Sequence, residues 1–287
     1  MRLNRKHYIL ISFIASILLT FLLINNCPPA SINGIKIHFI DVGQGDSILI
    51  QANNKNLLID SGSQSEEDKL FNYLDSINIK SLDYVIATHP HEDHIGNMGK
   101  LIDIYKIGDF YAPKVIDDSI AFEKMADALV TKDKKINILN SDTTDIYLGE
   151  NTSFQCFCLD DGGVKFDNLN HYSPIIKITY GNTSFLFTGD AEELNEYSVL
   201  NSNFNVSSNV LKLGHHGSAT STSNSFYDAV NPSIAVITVG LDNPHSHPSE
   251  KTLSLLKEKE PILYRTDLDG TIVLFSDGSS IYEVSKD

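Results

Sequence analysis

The chain is predicted to be an α/β protein in which two β-sheets pack face to face, with helices outside them. Three observations predict it. One order of elements (hairpin, Asp, helix, strand, His-rich loop) occurs twice along the chain. Seven of the ten histidines fall in three loops, and each loop directly follows an apolar strand. No linker or low-complexity segment interrupts residues 35 to 287, so both repeats belong to one domain, residues 31–287.

The first repeat begins with Ile35 to Ile40, which alternates as a half-buried strand, followed by the Gly-rich turn Asp41 to Ser47. Ser47 to Gln51 and Asn56 to Ile59, joined at Asn53-Asn54-Lys55, form a hairpin that ends in Asp60-Ser61-Gly62. A helix is expected next, with Ser65 as its N-cap, Glu66, Glu67 and Asp68 in its first turn, and Leu70, Phe71 and Leu74 on one face. The strand Tyr84 to Ala87 leads into the first His loop, His89 to His94. The second repeat runs through the hairpin Ile175–Tyr180 and Ser184–Phe187, then Asp190, a helix over Glu192–Leu200, and a strand over Asn209–Leu213. It ends at His215-His216.

Between the repeats, a strand near Phe110-Tyr111, a helix over Ala121–Leu129 and β-like segments at Ile136–Leu139 and Ile146–Leu148 carry no ligand chemistry. After them, the strand Ile234–Val239 opens into a loop with His245 and His247. A helix capped by Ser249 follows, with Leu253 and Leu256 on its apolar face. Strands Thr271–Phe275 and Ile281–Val284 close the domain around Asp277-Gly278.

Residues 1–30 stand apart. Arg2, Arg5 and Lys6 precede an uncharged, largely apolar run from Tyr8 to Ile24, which reads as a membrane anchor, with a cleaved signal peptide as the alternative. Either reading puts the domain outside the cytoplasmic membrane, anchored or secreted. The rest of the chain carries 19 basic against 37 acidic residues, so it offers no broad electrostatic footprint for nucleic acid or for an anionic membrane surface. Cys156 and Cys158, two apart on an expected strand, read as core thiols rather than a disulfide.

The residues from His89 to His94 spell H-x-H-x-D-H. Four potential ligands in six residues cannot share one helix face, but a tight loop at the end of a buried strand lets them converge. Imidazoles with a carboxylate suit Zn²⁺ or a similar divalent ion, and a catalytic site leaves a position open for water. Together with Asp41-Val42-Gly43-Gln44-Gly45-Asp46-Ser47, Leu58 to Gly62, Phe187 to Asp190, Leu211 to Ser218 and His247-Pro248, this cluster resembles the metallo-β-lactamase superfamily. More narrowly, it resembles the hydrolase domain of ComEC-type DNA-uptake (competence) proteins. The resemblance covers nearly all of residues 35 to 260.

It implies a four-layer αβ/βα sandwich with two divalent metal ions at its edge, Zn²⁺ first and Mn²⁺ second. His89 and His91 would hold the first metal, Asp93 and His94 the second, and Asp190 would bridge them, with Asp60 as an orienting carboxylate. His215 or His216 would complete the first metal or donate a proton, His215 being the inward one, and His247 would be the last ligand of the second metal. Asp93, His215 and His216 are therefore the candidate catalytic residues. His171, the sole candidate for a further ligand that many members carry, reads as a non-ligand, and His245 as a solvated neighbour. Asp46 and Ser47 could meet substrate or water, or form a turn without chemistry.

The implied activity is hydrolysis through a water activated by two metals, on phosphodiesters such as single-stranded DNA or a smaller compound. The alternatives are a hydrolase of another ester or a lactam, such as a choline-phosphate ester, and a non-catalytic part of a DNA-uptake machine.

Overall fold

The computed structural model describes residues 34–285, apart from 161 and 164. The expected N-terminal anchor lies outside these residues. No helix among the described residues is long and apolar enough to cross a membrane.

In chain order, the strands are β1 (Ile35–Phe39), β2 (Ile48–Ala52), β3 (Lys55–Ile59), β4 (Ser81–Ile86), β5 (Lys106–Ala112), β6 (Ile136–Ile138) and β7 (Thr152–Phe157). They continue with β8 (Ile175–Tyr180), β9 (Thr183–Phe187), β10 (Val210–Lys212), β11 (Ile234–Ile237), β12 (Ile262–Arg265), β13 (Ile272–Ser276) and β14 (Ile281–Glu283). The helices are α1 (Glu67–Ser76), α2 (Glu92–Ile95), α3 (Met98–Ile104), α4 (Ile120–Thr131), α5 (Glu193–Leu200), α6 (Asn224–Val230), α7 (Glu250–Lys259) and α8 (Thr266–Asp269).

Two sheets form, ordered β14-β13-β1-β2-β3-β4-β5-β6 and β12-β11-β10-β9-β8-β7. Period-two alternation explains how they meet. Ile35, Ile37 and Phe39 of β1 and Ile176, Ile178 and Tyr180 of β8 all join one buried cluster between the sheets. Phe39 and Phe187 touch across it, with ring centroids 6.1 Å apart. The outer face of the first sheet (Leu49, Leu58, Val85) packs on Leu70 and Leu74 of α1, Leu101 of α3 and Met125 of α4. The outer face of the second (Leu186, Leu211, Ala235) packs on Val199 of α5, Phe226 of α6 and Leu255 of α7. The predicted four-layer sandwich is the observed one.

Three expectations need correction. Ser65 does not cap the first helix: it lies inside a 3-10 turn over Gln64–Glu66, which Ser63 caps by accepting from Ser65 N, and α1 begins after Glu66 without a side-chain cap. Ile146 and Leu148 are buried without being a strand, because no neighbouring strand offers them a ladder. On α7, Leu255 and Leu256 are buried, while Leu253 is only half-buried. Cys156 and Cys158 are both free thiols, as expected.

The connections fix where chemistry can occur. β3 and β4 are parallel, as are β9, β10 and β11, so their carboxyl ends all leave at one edge of the sandwich. Asp60, the first His loop, Asp190, the His215-His216 turn and Thr238 follow those five ends directly.

Candidate metal centre

Asp190 lies at the middle of this edge, 1% exposed, and its two oxygens face different histidines. Oδ1 is 3.3 Å from His94 Nε2 and 3.4 Å from His216 Nε2. Oδ2 is 3.8 Å from His89 Nε2 and 3.7 Å from His215 Nε2. Two groups of donor atoms therefore share one carboxylate. His89, His91 and Asp190 form one; Asp93, His94, Asp190 and His216 form the other, with all atoms of each group within 4.8 Å of one another.

His91 caps the single turn of α2, which carries Asp93 and His94, so half of the H-x-H-x-D-H run sits on a helix rather than in a loop. The His215-His216 turn has a different origin. Both residues are left-handed, with φ 48 and ψ 49 at His215 and φ 53 and ψ 27 at His216. Side chains that would diverge along an extended segment are thereby both brought to the site. His216 is the buried one, at 1%, while His215 stays at the open side. The expectation that His215 enters ahead of His216 is reversed for this reason. His247, expected as the last ligand of the second metal, stands outside that donor group, which contains His216 instead. The His247 ring instead lies edge-on to His215, with centroids 5.4 Å apart. His245 faces His247 and solvent, and His171 stands outside both donor groups, 3.6 Å from Glu192 and edge-on to Phe166.

Each inner histidine is oriented from behind. Asp60 is fully buried, accepts from Thr88 N and Oγ1, and its Oδ2 lies 2.8 Å from His94 Nδ1, which turns His94 Nε2 toward Asp190. His216 Nδ1 donates to the Thr238 carbonyl at 2.8 Å, leaving its Nε2 free. Asp46, expected to meet substrate or water or to form a turn without chemistry, is buried beneath His216, where it pairs with Lys212 and accepts from Thr238 Oγ1. Lys212 was missed because its apolar strand context gave no sign of a charge; its Nζ also donates to Gly189 O at 3.0 Å. Glu192 was missed too. It accepts from Asn168, Asn170 and Thr220 and lies 3.3 Å from His215 Nδ1.

Charge is concentrated at this edge. Burial opposes protonation of His94, yet the carboxylates of Asp190, Asp93 and Asp60 outweigh it and raise its pKa well above the ordinary imidazole range. His216 is raised in the same way to about 10, against burial, by Asp190, Asp46 and Asp93. Burial would raise Asp190, but His216, His94 and His89 hold it well below the carboxylate range. Burial lowers His89, His215 and His247, the last to about 4.

His94 Nε2, Asp190 Oδ1 and His216 Nε2 are buried and have no hydrogen-bond partner, although buried polar atoms ordinarily have one. A cation would satisfy all three at once. The donor set, imidazoles with carboxylates, fits divalent transition metals.

A model of the metallo-beta-lactamase superfamily matches residues 40–240. ComE operon protein 3 of Bacillus subtilis (strain 168) is 30% identical over 271 residues, covering 83% of this chain and 32% of its own length. Competence protein ComA of Neisseria gonorrhoeae is 29% identical over 237 residues, covering 81% and 31%. The chain thus spans about a third of the length of these curated relatives. Among solved structures, the metallo-beta-lactamase fold protein YhfI from Bacillus subtilis has a TM-score of 0.55 at 15% identity, covering 88% of this chain and 100% of its own, a likeness of fold. A family pattern matched across both sheets, and competence proteins as relatives, lead to one conclusion: this chain belongs to the metallo-beta-lactamase superfamily and is one of its metal-dependent hydrolases.

Proposed function

We propose that the chain hydrolyses phosphodiesters, single-stranded DNA or a short oligonucleotide first among them, on the outer side of the cytoplasmic membrane. The observation that carries this reading is the division of Asp190 between two donor groups. Two cations sharing one carboxylate can offset charge on both the attacking and the leaving oxygen of an in-line displacement at phosphorus. The competence proteins among the relatives support a substrate of this class and a location at the membrane.

His89, His91 and Asp190 would hold one ion, and Asp93, His94, Asp190 and His216 the other, Zn²⁺ or Mn²⁺. Such ions would supply Lewis-acid stabilisation of phosphoryl oxygens and a nucleophile at neutral pH. The chain's own groups do the rest. Asp60 and the Thr238 carbonyl fix which nitrogens of His94 and His216 face inward. His215, its Nδ1–H held by Glu192, has Nε2 beside Asp190 Oδ2 and can accept the proton released by the attacking water and pass it to the leaving oxygen. His247 stands beside it to contact the phosphoryl group.

The test is turnover by the metal-loaded chain of labelled single- and double-stranded DNA, bis(p-nitrophenyl) phosphate, a phosphorylcholine ester and nitrocefin. Cleavage of the phosphodiesters, lost in Asp93→Ala and Asp190→Ala, is expected. Turnover of nitrocefin alone would overturn the reading.

A further inference from the structure

The two sides of the metal centre differ in chemistry. On the side of α2, a basin is bordered by Glu66, Glu92, Asp93 and Asp242, and its cation, Lys69, is already paired with Glu66 and Asp41. On the side of His89 lies a groove of about 440 Å³, within the ~300–1,000 Å³ usual for small-molecule sites. Pro113, Val115, Ile116, Phe122, Ile138 and Tyr172 form its walls, and no acid lines it. Pro113, Val115 and Phe122 also border a small apolar seam that reaches His89 and Pro90, so groove and metal centre adjoin. Tyr172 is followed by Ser173, whose hydroxyl is 3.3 Å from His89 Nδ1. Phe166 backs Tyr172 edge-on, and its N–H donates to the Tyr172 oxygen at 3.0 Å.

Two features make this groove unlike a stray apolar patch. Ile116 at its mouth is 80% exposed and lines one groove with Pro113, Val115 and Phe122, so the apolar surface here is contiguous rather than a single scattered side chain. Its rim carries Lys114 and Lys165 on a protein whose formal charge is −15. Lys165 donates to Ile116 O at 3.2 Å and so ties the two walls together. The nearest acid in sequence, Asp117, is turned away, accepting from Ser119 N at the start of α4.

An occupant must therefore be flat or apolar in its body and anionic at its edge. We propose that the groove takes an unpaired nucleobase adjoining the phosphate at the metal centre, with Lys114 and Lys165 against the next phosphate along the strand. This rests on the phosphodiesterase reading and deepens it. A paired base cannot enter, so the groove selects single strands, and the acidic basin keeps the polyanion to the His89 side.

The test is binding, read apart from turnover. Fluorescence anisotropy at low salt would compare a labelled single-stranded tetranucleotide with an abasic tetranucleotide, using the metal-loaded chain. The base-bearing probe is expected to bind at least about tenfold more tightly, since one stacked base contributes on that order. Ile116→Ser, which adds no charge beside Lys114 and Lys165, is expected to weaken the base-bearing probe more than the abasic one. Lys114→Glu with Lys165→Glu is expected to weaken both probes. Equal binding of the two probes by the unaltered chain, or equal weakening of both by Ile116→Ser, would overturn the proposal. Base-dependent binding without cleavage of any phosphodiester would support the groove and overturn the hydrolytic reading, so the two fail separately.

Discussion

His215 and His216 are adjacent in sequence, yet they occupy different surroundings, because a pair of left-handed residues turns both rings inward at different depths. His216 is enclosed by Asp93, Asp190 and Asp46; His215 is open to substrate and shares its face with His247. This division predicts a split in phenotype. His216→Ala is expected to lose about one of two metals per chain by elemental analysis, and activity with it. His247→Asn is expected to keep both metals while kcat falls by about a hundredfold, as for loss of a positioned acid–base or substrate-contacting group. Loss of metal from the His247 variant would restore it to the ligand set. A second residue-scale prediction concerns His38, which is buried on the helix side of β1. Its Nδ1 meets Tyr73 OH at 2.7 Å and its Nε2 meets Gln51 Oε1 at 3.0 Å, and burial lowers its pKa to about 4. The unfolded chain binds that proton first, near pH 6.5. The stabilisation is thus complete above about pH 6.5 and declines as pH falls toward 4, by roughly 3 kcal/mol in all. An NMR titration should find the His38 ring neutral at pH 5.5; a midpoint near 6.5 would contradict it.

At the scale of elements, α7 does more than cover the second sheet. Ser249 caps it by accepting from Thr252 N, while Ser249 N and Thr252 Oγ1 both donate to Gly217 O at 2.9 Å, so the start of the helix clamps the His215-His216 turn. Ser249→Ala is expected to cost about 1 kcal/mol, seen in urea melts as a lower midpoint with an unchanged slope. The Ser249 cap was legible in sequence because a serine stood directly before an amphipathic run. The elements that escaped lacked such signals. β12 is only four residues after Pro261, half-buried along most of its length, and recognisable through its pairing with β11. The start of α6 is Ser/Asn-rich, and it is held by Ser223, whose N–H is in turn accepted by buried Glu196. At the site, spacing announced His89, His91, Asp93 and His94, while Asp190, at the end of the second hairpin, gained its role through the family resemblance. The choice between His216 and His247 was not legible, since it depends on backbone handedness that no residue type there dictates. Lys212 was hidden, and the burial of Asp46 beneath His216 with it, because each seemed local until β10 and the β1–β2 turn were brought together.

For the whole molecule, the donors come from loops on both sheets: His89 to His94 from the first, Asp190 and His216 from the second. Ions bound there would join the halves of the sandwich, and their removal should be felt beyond the site. With free metal at about a hundred times its dissociation constant, binding adds about 2.7 kcal/mol, or roughly 5–10 °C in Tm for a domain of this size. Calorimetry before and after dialysis against a chelator measures it, and an unchanged Tm would mean that no ion was bound.

β1 runs between β2 and β13, and its pairing of Ile35 with Ser276 joins positions near opposite ends of the described chain. During synthesis on the ribosome, one whole side of β1 must wait for more than two hundred further residues before its lasting neighbour exists. Through that interval its bare amides and carbonyls are a template for any extended segment nearby, including another copy of itself. Premature release or clipping of the final strands should therefore yield clumped protein rather than a smaller working enzyme.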